Sequence, residues 1–247
     1  MIVFEAMQDT IDKLIEEDFK VIICGEKEGN AYTYMSNLTV HLERFFHIYL
    51  YLSEHWREYK YVVTTDVKDL VFQLDPISFL EQNLGEKKLI VGAESILYRD
   101  EPWGNQNLLE TYGKFFHDRF KDNPIYNVGA IGGTSEYIKD ICMNIFMNGV
   151  NRKIAVCDQS VFNVMIHTQP YKDTTLFCAQ ADGWACHAGT TADPKMVEKF
   201  RPYLLEGEPV FSVEDQKVYT ENGNLFTIVH QYDRVPEWKK AFEAQSD

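Results

Sequence analysis

The chain has 247 residues, 45% of them hydrophobic and 14% aromatic, which is enough to bury a sizeable core in one large α/β domain or two small ones. Its 24 basic and 38 acidic side chains leave a formal charge of -14 at pH 7, spread along the chain rather than gathered in a tail. That balance argues against nucleic acid or anionic membrane as the main partner, and an anionic small ligand would need a metal ion or a few well-placed basic groups.

The N-terminal stretch, residues 1–18, is amphipathic and acidic, with no basic leader and no long apolar run, so it reads as neither a signal peptide nor a membrane span. Ile11, Leu14 and Ile15 have helical spacing and predict a helix over 8–17, followed by an apolar strand over 19–24. A second helical pattern covers 39–56 and stops at a polar turn, 57–59. Tyr61-Val62-Val63-Thr64-Thr65 is rich in β-branched residues and predicts a strand buried on both faces. Residues 88–91 form another short apolar run, 94–106 reads as a long loop, and 106–120 fits a helix. Glycines punctuate a strand and turn over 127–133; 134–149 and 158–168 are helical, and the last third reads as mixed strands, clearest at 225–229. Strands alternating with helices predict an open, mostly parallel sheet flanked by helices, with ligands at the carboxyl ends of its strands. Five cysteines, at 24, 142, 157, 178 and 186, form no C-x-x-C pair and read as reduced thiols of a cytoplasmic protein.

The sharpest chemical feature is Thr65-Asp66-Val67-Lys68-Asp69, directly after the strand at 61–65. Carboxylates gathered at a strand end are costly unless something positive sits there. Asp oxygens suit Mg²⁺ or Mn²⁺, and either ion clamps a diphosphate. The plainer reading is a solvated turn in which Asp66 caps a helix starting at Val67.

The stretch Tyr61–Pro76 (YVVTTDVKDLVFQLDP) resembles the metal-binding strand end of GT-A-type nucleotide-sugar glycosyltransferases. It is especially similar to a version found in uncharacterised bacterial proteins and in a chlorella virus glycosyltransferase domain. One departure matters: the family's second Asp falls where this chain has Lys68, and the next acid is Asp69, one residue later. Asp158-Gln159, with Asn163 following, is similar to an Asp-Gln…Asn element of retaining enzymes of the glycogenin and galactosyltransferase type. That resemblance implies that Asp158 and Gln159 line the donor sugar and the reaction centre, whereas capping alone would also explain an Asp at a helix start. Thr227-Ile228-Val229-His230-Gln231-Tyr232 resembles the family's strand-His-loop segment, which makes His230 the third metal ligand, with His187 as its rival. Asn127-Val128-Gly129 resembles the family's Asn-x-Gly turn near the donor sugar, and glycine there permits close approach.

The resemblance runs in family order over roughly residues 19–238 and implies one GT-A domain over 1–247. A nucleotide-binding part would occupy about 1–80 and a donor and acceptor part about 81–247. The implied metal ligands are Asp66, Asp69 and His230; Arg44, Thr65, Asp66, Lys68, Asn127, Gly129, His187 and Arg234 would surround the sugar nucleotide. Glu94, Trp103 and Asn107 would belong to the acceptor region. The implied activity is metal-dependent transfer of a sugar, with retention, from a nucleotide diphosphate sugar (a UDP-sugar above all) to a carbohydrate or other hydroxyl acceptor. A nucleotidyltransferase would show a Gly-rich basic signature that is absent, and Asp66-Val67-Lys68 does not fit an Asp-nucleophile phosphatase. A non-catalytic sugar-nucleotide or carbohydrate-binding module with a degenerate site remains the alternative, because Lys68 replaces the usual acid.

Overall fold

A computed structural model describes residues 1–244. In chain order it contains β1 (Ile2–Val3), β2 (Ala6–Met7), α1 (Gln8–Glu16), β3 (Ile22–Ile23), β4 (Glu26–Glu28), β5 (Ala31–Thr33) and α2 (Val40–His55). Next come β6 (Tyr61–Thr65), β7 (Leu70–Phe72), α3 (Pro76–Asn83), β8 (Leu89–Leu97), α4 (Pro102–Phe120), β9 (Pro124–Thr134), α5 (Ser135–Gly149) and α6 (Asp158–Ile166). The remainder is α7 (Tyr171–Thr174), β10 (Thr175–Cys178), β11 (Ala185–His187), α8 (Ala188–Thr191), α9 (Pro194–Phe200), β12 (Val210–Ser212), β13 (Lys217–Tyr219), β14 (Ile228–His230) and α10 (Pro236–Glu243).

The central sheet has the order β10-β8-β9-β6, and a second sheet has the order β11-β14-β7. Both are mixed. β10 runs parallel to β8 and β11 to β14, whereas β8, β9 and β6 alternate in direction and β7 opposes β14. The mostly parallel sheet expected from the sequence is therefore corrected: β9 enters the middle of the sheet antiparallel to both neighbours, which an alternation of helices and strands does not reveal. Residues before 34 pair only among themselves, β1 with β3 and β5 with β2 and β4, so the central sheet starts at β6.

Two apolar layers sandwich the central sheet. On one face Leu42, Phe45 and Leu52 of α2, Ile138, Ile141 and Ile145 of α5, and Val161 and Phe162 of α6 pack on Leu89, Val91 and Ile131. On the other face Leu80 and Leu84 pack with Ile90, Ala130, Trp184 and Ile228. Leu89, Ile90 and Val91 thus alternate between layers, as the two-residue period of a strand requires.

Several local expectations change. Residues 94–97 continue β8 instead of opening a loop, and α4 begins at Pro102, where the Glu101 side chain accepts from the Trp103 and Gly104 amides. Glu94, expected at the start of that loop, lies in the interior of β8, where three side-chain donors satisfy it. α4 breaks at Gly113, whose φ of 73° lies in the left-handed region. No helix follows Asp66; a turn leads straight into β7. Of the strand expected over 19–24, only Ile22–Ile23 is a strand, beside β1.

Candidate functional site

The acidic turn owes its geometry to strand pairing. β6 ends at Thr65, paired with Ala130 of β9, and the Asp66 amide donates to the Gly129 carbonyl at 2.9 Å. β7 starts at Leu70, which pairs with His230, and the Gln231 amide donates to the Asp69 carbonyl at 2.7 Å. Asp66 therefore sits where one strand stops and Asp69 where the next begins, and a turn closes their side chains on His230. Lys68 lies exposed on that turn. One ligand atom each from Asp66, Asp69 and His230 lies within 4.8 Å of the other two. His230 Nε2 stands 3.4 Å from Asp66 Oδ2 and 3.6 Å from Asp69 Oδ1. Burial lowers the His230 pKa against the opposing pull of Asp69, so the ring stays neutral and able to offer a lone pair.

Arg44 joins this turn to the helix start at Asp158. Its Nη1 donates to Asp66 Oδ1, and its Nη2 donates to Asp158 Oδ2 at 3.1 Å. The two Asp66 oxygens are thereby divided: one meets Arg44, the other faces His230. Asp158 is the first residue of α6, where its charge suits the helix dipole, but it makes no cap bond; Cys157 holds the cap position. The capping role considered for Asp158 is thus corrected: its carboxylate meets Arg44 instead.

β9 carries extra residues beside β8 here, since Val91 pairs with Ile131 while Ala93 pairs with Tyr126. Such a bulge re-aims side chains, and Asn127 braces it by accepting from the Gly129 amide at 2.7 Å. The turn expected within 127–133 is this bulge inside one long strand. Glu94 ties the bulge to α6: its Oε1 accepts from Asn127 Nδ2 at 2.8 Å and Gln159 Nε2 at 3.0 Å, and its Oε2 accepts from Thr190 Oγ1 at 2.9 Å. Burial pushes the Glu94 pKa up, and those three donors oppose the shift.

The other sequence candidates divide. Thr65, Asn127, Gly129 and Gln159 adjoin the cluster, and His187 stands behind His230, its Nδ1 at 3.2 Å from His230 Nδ1. Arg234 is exposed and meets only Asp233, at 3.5 Å, among its salt bridges. Trp103 is 55% exposed at the start of α4, while Asn107 is buried and occupied with the Val156 carbonyl and Ser160. Sequence reasoning missed a cavity of about 550 Å³ beside the acidic turn, lined by Phe4, Tyr34, Ser36, Leu38, Glu43 and Val67. Glu43 Oε2 is buried there without a partner. Only the adjacency of Glu43 to Arg44 in the sequence pointed to it.

A divalent cation fits the donor set on three observations. Two carboxylates and an imidazole suit Mn²⁺ better than a fully oxygen-loving ion. His230 Nε2 is buried with no hydrogen-bond partner. Gly129 leaves room that a side chain would fill: a Cβ there would lie 2.5 Å from His230 Cε1 and 2.8 Å from Asp66 Oδ2.

No protein-family model matches the chain, and no curated protein matches it significantly. Among solved structures it is similar to a crystal structure of a glycosyltransferase involved in the glycosylation of the major capsid of PBCV-1. The identity is 8% and the TM-score 0.45, with 94% of this chain and 90% of the other covered. Among the described residues, no helix is long and apolar enough to cross a membrane.

Proposed function

We propose that this chain is a glycosyltransferase that uses a divalent cation, Mn²⁺ or Mg²⁺, to hold a nucleotide diphosphate sugar and passes the sugar to a hydroxyl acceptor. The observation that carries this reading is the meeting of Asp66, Asp69 and an unpartnered His230 Nε2 just beyond the end of β6. The cation would supply a Lewis acid for the charge that grows on the leaving diphosphate. Arg44, fixed between Asp66 and Asp158, adds a permanent positive charge to the same corner. The adjoining cavity suits a nucleoside: Tyr34 and Phe4 offer ring faces, and Glu43 Oε2 offers a free acceptor for a ribose hydroxyl or a base N–H.

Asp158 and Gln159 sit on the other side of Arg44, where the sugar would extend. In a retaining reaction they hold donor hydroxyls, and Glu94 keeps Gln159 in place. In an inverting reaction Asp158 would be the base for the acceptor hydroxyl. Arg44 Nη2 already engages its carboxylate at 3.1 Å, which supports a role in holding the donor. A UDP-sugar is the first donor to test, with a carbohydrate as acceptor.

Titration calorimetry with UDP, with and without Mn²⁺, tests the reading, followed by slow hydrolysis of a panel of UDP- and GDP-sugars. Metal-dependent binding and hydrolysis of one donor are the expected results. Binding without hydrolysis of any donor would favour a non-catalytic binding module, and no nucleotide binding at all would remove the proposal.

A further inference from the structure

His187 is wholly buried at the end of β11, and the parallel pairing of β11 with β14 sets it in register with His230. The two rings stand perpendicular, and their Nδ1 atoms are 3.2 Å apart. One proton must lie between two such nitrogens, since two bare lone pairs repel and two N–H groups collide. Which ring owns that proton decides what His230 can do, because a neutral imidazole carries its hydrogen on one nitrogen and a lone pair on the other.

The far side of His230 settles the choice. His187 Nε2 lies against Gly92 of β8, so close that a Cβ there would stand 2.9 Å away. Nε2 of His187 is buried without a hydrogen-bond partner and does not decide between the two forms. At the other end, His230 Nε2 stays 3.4 and 3.6 Å from two carboxylates. An N–H there would draw one of them in to about 2.8 Å.

We propose that His187 is a positioning residue: it accepts the Nδ1 hydrogen of His230, fixes that tautomer, and so turns the His230 Nε2 lone pair into the space between Asp66 and Asp69. This rests on the cation-site reading and adds to it a residue that touches neither ion nor substrate. The arrangement is the imidazole counterpart of the carboxylate or carbonyl that commonly receives the second N–H of a metal-binding histidine.

The test has two readouts on the full chain. Long-range ¹H–¹⁵N correlation spectra of the metal-free, histidine-labelled protein report the tautomer of each ring. Electron paramagnetic resonance reports Mn²⁺ affinity, with no dependence on turnover. Wild-type His230 should appear as the Nδ1–H form. His187→Asn, whose Oδ1 reaches the place of the imidazole Nδ1, should keep that form and bind Mn²⁺ within about threefold of wild type, whereas His187→Leu should lose it and bind about 10–100-fold more weakly. His230 found as the Nε2–H form in the wild type, or kept as Nδ1–H in His187→Leu, overturns the inference. If the Leu variant does not fold, the wild-type and Asn spectra decide. Should the wild type bind no Mn²⁺, the cation reading fails, and the metal-free spectra still judge His187 separately.

Discussion

Replacing Gly129 by alanine adds one methyl at the most crowded point of the site. Built on the present backbone, that Cβ meets His230 Cε1 at 2.5 Å, Asp66 Oδ2 at 2.8 Å and Asn127 Oδ1 at 2.9 Å. Ordinary carbon contacts lie near 3.5–4.0 Å, so the imidazole must retreat by about 1 Å. It has little room to do so, being 2% exposed and backed by His187 at 3.2 Å. The strand cannot yield easily either, because the Gly129 carbonyl holds the Asp66 amide. Overpacking of this kind costs about 1–3 kcal/mol of stability. Metal–ligand distances tolerate only about ±0.2 Å, so a shift of that size should cost Mn²⁺ affinity about 100-fold or more, roughly 2.7 kcal/mol. Gly132→Ala is the control: its Cβ would meet Ile90 Cγ2 at 2.8 Å and Trp184 at 3.0 Å, on the same strand but among apolar atoms. Both variants should melt lower in circular dichroism, and only Gly129→Ala should lose Mn²⁺ in calorimetry. A Gly129→Ala protein that binds Mn²⁺ within about threefold of wild type would refute the reasoning.

Asp66→Asn should abolish Mn²⁺-dependent UDP binding in calorimetry while leaving the far-ultraviolet spectrum unchanged; unaltered affinity would remove the cation site. Asp158→Asn should reduce donor hydrolysis by about 100-fold or more while changing UDP affinity little, as expected of a group acting at the sugar. Near-normal turnover in that variant would leave Asp158 only its ion pair with Arg44. Arg44→Met leaves two carboxylates without their shared cation and should cost about 3 kcal/mol in urea unfolding, with part of the loss restored by saturating Mn²⁺. No restoration would separate Arg44 from the cation corner. His167, packed among Phe120, Tyr126 and Phe177, has its pKa lowered from 6.5 by burial. The unfolded chain therefore takes up a proton there before the native one does, and the stability present above pH 6.5 is lost as pH falls below it. His167→Gln should flatten the urea stability profile between about pH 6.5 and 5 by at most about 1.4 kcal/mol per pH unit. His187 and His230 keep a slope of the same sign. An unchanged profile would contradict the buried, neutral state of His167.

Much of the local structure was legible along the chain. α2 and α5 follow from helical periodicity, because each buries an apolar stripe, and β6 follows from its β-branched run, although as an edge strand it is half-buried and not buried on both faces as expected. Asp66 was recognisable as a carboxylate at a strand's end, and the histidine that faces it is His230, with His187 behind. Glu94 and the bulge at Asn127–Ala130 were misread, since their partners lie on α6 and α8, far away in sequence.

The sequence alone determined which segments could be helix or strand, that a large core would form, and that acids at 66 and 69 would follow a β-branched strand. Tertiary structure decided the rest. The direction of β9 and the mixed sheets depend on pairing between distant segments, which local periodicity does not encode. Asp69 rather than residue 68 joins the site because Leu70 pairs with His230, more than a hundred residues later, and that register fixes where the turn must end. Arg44 likewise meets two acids from different elements only once α2 lies across the strand ends. Hydrogen-bond register and charge pairing act between groups brought close by folding, so their consequences appear only when the chain has closed on itself.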